Sequence, residues 1–291
     1  MSEVTYVKKV VTEKVVPRVE MVTPVKPASA PIGMFDSGVG GLTVLKEVMK
    51  QMPTEDVTYF GDTAHVPYGS RPAADILRFD SEIIGYLVKL GVKMVIMACG
   101  TSSALALSDM KKKFKVPIIG IIEPGAKAAV HTTKNYKIGV IATESAVKSG
   151  TFQFEIRRLE RGIEVFAQAC PLFVPLVEGD FVEASETKEI AREYLKPLIE
   201  AKIDTLILGC THYPHLSKVI REIMGPEVRL VDPAVETVTE AKRSLEKAGM
   251  LKDVPKPPVY QYIVSGSPAR FQEVGSKLLG KPITSVRQEA L

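Results

Sequence analysis

The sequence predicts an α/β protein built from two pseudo-symmetric parallel-sheet domains with a cleft between them. Three observations carry this prediction. Short apolar runs alternate with longer amphipathic stretches, so strands alternate with helices and the sheets are parallel and helix-covered. The pattern restarts a little over a hundred residues along the chain. Each copy carries a cysteine just past a buried strand, Cys99 in the first and Cys210 in the second.

The first copy begins at residue 32. Ile32-Gly33-Met34-Phe35 reads as a short strand that stops at the turn Asp36-Ser37-Gly38-Val39-Gly40-Gly41, with a helix behind it from Leu42 to Met52. Val57 to Phe60 is the next strand, followed by the loop Gly61 to Ser70 and a helix from Ala73 to Leu90. Met94 to Ala98 is a strand, and a further helix starts after Cys99. Ile118 to Ile122 reads as one more strand. In the second copy, Ile138 to Ile141 and its end Ala142-Thr143-Glu144-Ser145 repeat the first strand and its Asp36-Ser37 end. Thr205 to Leu208 with Gly209-Cys210-Thr211 repeats Met94 to Met97 with Ala98-Cys99-Gly100-Thr101. The expected first domain takes residues 32–123 and the C-terminal segment 232–291; the second takes 124–231. Residues 1–31 read as an appended N-terminal arm, extended or flexible, because Pro17, Pro24, Pro27 and Pro31 forbid a long helix and disfavour a central strand.

Composition excludes several function classes. The 291 residues are 45% hydrophobic, enough for a full core, yet no apolar run reaches the ~18 residues of a membrane span. Glu3, Lys8, Lys9, Glu13, Lys14 and Arg18 break any secretory apolar region, so a cytoplasmic location is expected, with no membrane partner. The net charge of +4 is modest and bases are mixed with acids, so no nucleic-acid partner is expected. Lys111-Lys112-Lys113 reads as a solvated helix end. Three cysteines without a CxxC pair argue against a disulfide framework. His212 and His215 are separated by Pro214, which breaks helical ligand spacing, so no metal site is expected.

Open α/β sheets bind ligands at the carboxyl ends of their strands. Two facing copies therefore place two thiols on opposite walls of one cleft, where the active site is expected. A helix N-terminus behind each cysteine would stabilise its thiolate and lower its pKa. Inversion at carbon needs one group to remove a proton from one face and a second to return one on the other. Spacing alone leaves a second reading open, that of two inert buried cysteines. Asp36 as a simple helix cap, His212 as a satisfied polar residue at a strand end and Glu178 as a solvated loop acid are open in the same way. The Asp-Ser-Gly-x-Gly-Gly run lacks the GxGxxG spacing and the Walker lysine, which ranks nucleotide binding low. Cys170, read as lying at a strand start before Pro171 and without a counterpart in the other copy, is assigned to packing.

Six motifs in order resemble the cofactor-independent glutamate racemases of the aspartate/glutamate racemase superfamily. They are Asp36-Ser37-Gly38-Val39-Gly40-Gly41-Leu42, Gly61-Asp62-Thr63-Ala64, Pro67-Tyr68-Gly69, Ala98-Cys99 with Thr101-Ser102-Ser103-Ala104, Glu123-Pro124-Gly125, and Leu208-Gly209-Cys210-Thr211-His212-Tyr213-Pro214. The similarity runs from residue 32 to Ser265-Gly266-Ser267-Pro268. It implies interconversion of L- and D-glutamate without pyridoxal phosphate or metal, in a homodimer that supplies D-glutamate for peptidoglycan. It also implies that Cys99 and Cys210 transfer the protons, one per enantiomer. Asp36 would orient Cys99, and His212 and Glu178 would assist Cys210. Ser37, Tyr68, Gly69, Thr101, Thr143 and Thr211 would hold the substrate through hydroxyl and backbone N–H groups, with Gly100, Asp36 and His212 beside them.

The chain departs from the family at Gly100, where the family has an Asn whose amide contacts the substrate's carboxylate region. Losing a hydrogen bond to a charged group costs about 1.5–3 kcal/mol. His65 stands where Arg is usual, and Ala146 where a second Thr is usual. These departures keep two alternatives in play: a racemase of another acidic amino acid such as aspartate, and a non-catalytic binding or regulatory relative.

Overall fold

The computed structural model describes residues 27–253 and 256–291, so most of the expected N-terminal arm lies outside the described residues. The strands are β1 (Ile32–Asp36), β2 (Val57–Gly61), β3 (Met94–Met97), β4 (Ile118–Gly120), β5 (Lys137–Ala142), β6 (Glu164–Ala169), β7 (Thr205–Leu208), β8 (Arg229–Val231), β9 (Tyr260–Val264) and β10 (Val286–Gln288). They form two sheets, ordered β10-β9-β2-β1-β3-β4 and β6-β5-β7-β8. Among the described residues, all pairings are parallel. The order β2-β1-β3-β4 recurs as β6-β5-β7-β8, so the internal repeat seen in the sequence is a repeat of topology. The α/β class with two parallel-sheet domains is borne out.

The central strands are near-continuous apolar runs because helices cover both faces of a parallel sheet. All five residues of β1 are buried, as are all four of β3 and of β7. The helix Pro233–Lys247 is capped by Asp232, whose side chain accepts from the Ala234 N–H, and it has Pro233 in its first turn. It packs on the helices Leu42–Gln51 and Ile122–Thr132, and so bridges elements of the two sheets. One apolar cluster accordingly contains Met34 and Ile96 from the larger sheet and Ile138, Val140 and Ile207 from the smaller. Burial of this kind contributes roughly 25 cal/mol per Å² of apolar surface removed from water, and here it holds the two sheets together.

The structure corrects the expectation for Ile118 to Ile122. The strand stops at Gly120, and Ile122 opens the helix Ile122–Thr132. Glu123-Pro124-Gly125 is therefore the first turn of that helix, where proline's missing N–H costs nothing. Cys170 also differs: it follows the end of β6 rather than opening a strand, and its topological counterpart is Asp62 after β2. Among the described residues, no helix is long and apolar enough to cross a membrane. Ahead of β1, Ala28 is anchored by Lys93, whose Nζ donates to the Ala28 carbonyl at 2.6 Å and lies 2.6 Å from Glu55 Oε2 in a fully buried pair.

Candidate active site

A cavity of about 80 Å³ lies at the carboxyl ends of the central strands of both sheets. Cys99 and Cys210 both line it, one after β3 and the other after β7. Ser37 from the β1 end and Thr143 from the β5 end complete the four equivalent strand ends. Tyr68, Gly69, Gly100, Thr101, Thr211 and His212 also face the cavity. Asp36 and Glu178 do not line it; each is bonded to a residue that does.

On the first wall, the chain turns sharply after β1. Asp36 Oδ1 accepts from the Gly38 N–H at 2.9 Å, which shapes the turn. Its Oδ2 accepts from Thr211 Oγ1 at 3.0 Å, so the same carboxylate ties the second wall to the first. Cys99 is the residue before the helix Gly100–Leu105, and its thiol lies 3.9 Å from Ser37 Oγ, to which it donates. Thr101 and Thr143 hydroxyls meet across the cleft at 2.9 Å, and Ser145 Oγ donates to the Gly69 carbonyl at 2.8 Å. Tyr68 is anchored by its hydroxyl, which donates to Asp62 Oδ2 at 2.5 Å.

On the second wall, the His212 imidazole lies between two acidic groups. Its Nδ1 is 3.7 Å from Cys210 Sγ, and its Nε2 is 2.8 Å from Glu178 Oε1. Glu178 is the last residue of the helix Phe173–Glu178, so it is not a solvated loop acid. Behind Cys210 the chain forms a 3-10 turn, Tyr213–Leu216, rather than starting an α-helix directly.

Electrostatics differ between the walls. Burial pushes the Cys99 thiol up to about 12, and the nearby Asp36 charge adds to this. The expectation of a lowered pKa is therefore not met at Cys99: loss of water outweighs the helix end. Burial alone would hold His212 neutral, but its bonds to Cys210 and Glu178 prevail and raise it well above the usual histidine range. Burial would likewise raise Glu178, but the His212 bond prevails and holds it below the ordinary glutamate range. Among the described residues, no group of three or more His, Cys, Asp or Glu is placed to hold a metal ion.

The two walls touch through glycine. A Cβ on Gly100 would sit 2.3 Å from the Gly209 carbonyl oxygen, and one on Gly40 would sit 2.4 Å from His212 Nδ1. Any side chain at residue 100 thus meets backbone from the opposite wall.

Sequence reasoning passed over Asp62 as a site residue. It accepts from Tyr68, and from Ser265 Oγ at 2.6 Å, and it lies 2.9 Å from His65 Nδ1. Its position just past the end of β2, beside the chemistry-bearing end of β1, was the available signal. Val174 and Pro171 also line the cavity, and nothing in their local sequence marks them.

Comparison with known proteins agrees with this geometry. Residues 37–241 match the family model described as Asp/Glu/Hydantoin racemase. A glutamate racemase of Trichormus variabilis is 47% identical over 255 residues, covering 88% of this chain and 86% of its own. The crystal structure of a glutamate racemase from Bacillus anthracis superposes with a TM-score of 0.85 at 34% identity, covering 90% of this chain and 97% of that one. A glutamate racemase from Francisella tularensis, solved in complex with D-glutamate, superposes with a TM-score of 0.83 at 34% identity, over 91% of this chain and 98% of that one. The chain therefore belongs to the Asp/Glu/hydantoin racemase family and is an isomerase of the amino-acid racemase type.

Proposed function

We propose that the protein interconverts L- and D-glutamate, with Cys99 and Cys210 as the two proton-transfer groups and no cofactor. The observation that carries this is the placement of both thiols on one small buried cavity, each with a polar partner of its own. One sulfur, as thiolate, takes the α-proton from one face of the substrate. The electron pair left on carbon delocalises into the α-carboxylate. The thiol on the other face then protonates the carbon, and the two sulfurs have exchanged protonation states.

The unequal surroundings of the sulfurs suit this exchange. Cys99 is held as a thiol by burial and by Asp36. Cys210 has a histidine within bonding reach that Glu178 favours as the cation. Backbone N–H groups and the hydroxyls of Ser37, Thr101, Thr143 and Thr211 are candidates to bind the substrate carboxylates. Fixed donors in a water-poor cavity stabilise developing charge without reorganising.

Glutamate is favoured over aspartate by the curated relatives, which are glutamate racemases across nearly the whole chain. The reading extends to a cytoplasmic homodimer that supplies D-glutamate for the peptidoglycan wall. Circular dichroism of L-glutamate, D-glutamate and both aspartates with purified protein tests it. Loss of optical activity from both glutamate enantiomers, with aspartate slower, supports the assignment; turnover of aspartate alone, or of neither, overturns it.

A further inference from the structure

Asp80 is a fully buried carboxyl group that takes no part in the mechanism above. It lies in the helix Ala73–Lys89 and is 0% exposed. Ser102 Oγ lies 2.9 Å from its Oδ1. Its Oδ2 has no hydrogen-bond partner among the described residues. Ser102 is itself fully buried and belongs to the helix Gly100–Leu105, which Cys99 precedes. The Ser103 N–H bonds the Cys99 carbonyl at 2.9 Å, so the turn that Asp80 grips is the turn that carries the sulfur.

Among the described residues, the titratable groups coupled to Asp80 are Asp62, Tyr68 and Cys99, and none of these is a cation. An isolated carboxylate in such a place pays a desolvation cost that no partner offsets, and it takes up a proton instead. Burial, with the Asp62 charge added and the Ser102 bond opposing, pushes the Asp80 carboxyl well above the ordinary carboxylate range.

We propose that Asp80 is a positioning residue for Cys99: a neutral carboxylic acid that fixes the cysteine-bearing turn through Ser102 and keeps a second negative charge away from the sulfur. This rests on the two-thiol reading, because its consequence is read at Cys99. The neutral acid shares its proton with Ser102, either group donating. Were Asp80 ionised, its charge would disfavour the Cys99 thiolate, and the thiol would surrender its proton at higher pH. One chain thus has two buried acids near Cys99 with different tasks. Asp36 accepts two hydrogen bonds and joins the walls, while Asp80 stays uncharged and holds the helix.

Two measurements on the full-length protein test this. The first is the infrared band of a protonated carboxyl group near neutral pH, compared between wild type and Asp80→Asn. The second is the rate of Cys99 alkylation by iodoacetamide near neutral pH, in a Cys170→Ala/Cys210→Ala background with and without Asp80→Asn. The expected result is a band present in wild type and lost in Asp80→Asn, with the Cys99 alkylation rate unchanged near neutral pH because one neutral group has replaced another. Ser102→Ala should lower kcat about tenfold at similar KM, the size expected from one lost hydrogen bond. Absence of the band, or alkylation of Cys99 that is about tenfold or more faster in Asp80→Asn near neutral pH, overturns the proposal. If Asp80→Asn fails to fold, Ser102→Ala decides: a kcat within twofold of wild type overturns the proposal. Failure of the racemase reading shows separately, as absent turnover in wild type with the carboxyl band still present.

Discussion

Gly100 is the foremost of the three expected departures from the family's pattern, and the geometry turns it into a quantitative prediction. The absent Asn amide suggests a lost substrate contact. The structure adds a steric fact: a Cβ at residue 100 falls 2.3 Å from the Gly209 carbonyl oxygen and 3.6 Å from the Cys210 Cα. The first separation is about 1 Å short of an ordinary non-bonded contact. Its partner is backbone at the end of β7, so no rotamer change relieves the clash. Either the cleft opens or the strand end moves, and both displace Cys210 relative to Cys99. Overpacking of this kind costs about 1–3 kcal/mol, and a misplacement of about 1 Å at reacting atoms costs on the order of 10²-fold in rate. Gly100→Ala should therefore lower kcat by about 10²-fold while Tm falls by only a few degrees. Gly100→Asn should fare no better, although it restores the family's residue. Polarimetric turnover of both glutamate enantiomers, with a thermal melt of each variant, is the assay. A Gly100→Asn variant more active than wild type would refute the close-approach reasoning and restore the lost amide as the meaning of Gly100.

Other outcomes follow from the same structure. Cys99→Ala and Cys210→Ala should each reduce racemisation by about 10³-fold or more, the range for losing a general acid or base, with the fold intact by circular dichroism. Glu178→Gln should slow turnover by about tenfold by weakening the hold on the His212 cation. The same variant carries a stability signature. His212 is raised, so its contribution is complete below its unfolded value and is lost as pH rises through its folded value. Glu178 is lowered, so its contribution is present above its unfolded value and is lost as pH falls through its folded value. The Tm gap between wild type and Glu178→Gln should be widest between those limits and narrow on both sides. Glu55→Ala leaves the buried Lys93 charge without its partner at 2.6 Å, and unpaired buried charges cost about 3–5 kcal/mol. Its Tm should fall by about 10 °C, and Glu55→Leu with Lys93→Met should recover most of that loss.

The frame of the protein is legible in the sequence because fully buried parallel strands must be written as apolar runs. Ile32 to Phe35, Met94 to Met97 and Thr205 to Leu208 stand out for that reason. Their ends place Cys99 and Cys210 at matching topological positions, so the common cavity follows from the repeat. The end of β4 was misread because Ile121 and Ile122 prolong its apolar run, although they turn and enter a helix. The more exposed β6 was missed as a strand, since Glu164 to Ala169 is mixed in polarity, and the place of Cys170 went with it. Asp80 and Asp62 act through contacts with residues distant in sequence, Ser102 for one and Ser265 for the other, and local pattern holds no trace of such partners. The rise at Cys99 was hidden for a different cause. A helix start is visible in sequence, whereas the depth of burial that overrides it is a property of the assembled fold.

The central claim is that two thiols on opposite walls exchange the α-proton, and the first turnovers of L-glutamate in D₂O test it most directly. Two opposed thiols predict that new D-glutamate carries deuterium at the α-carbon while unreacted L-glutamate keeps its proton, and that neither Cys99→Ala nor Cys210→Ala makes D-glutamate at an appreciable rate. D-Glutamate that retains the original α-proton, or racemisation that persists in either variant, would contradict it.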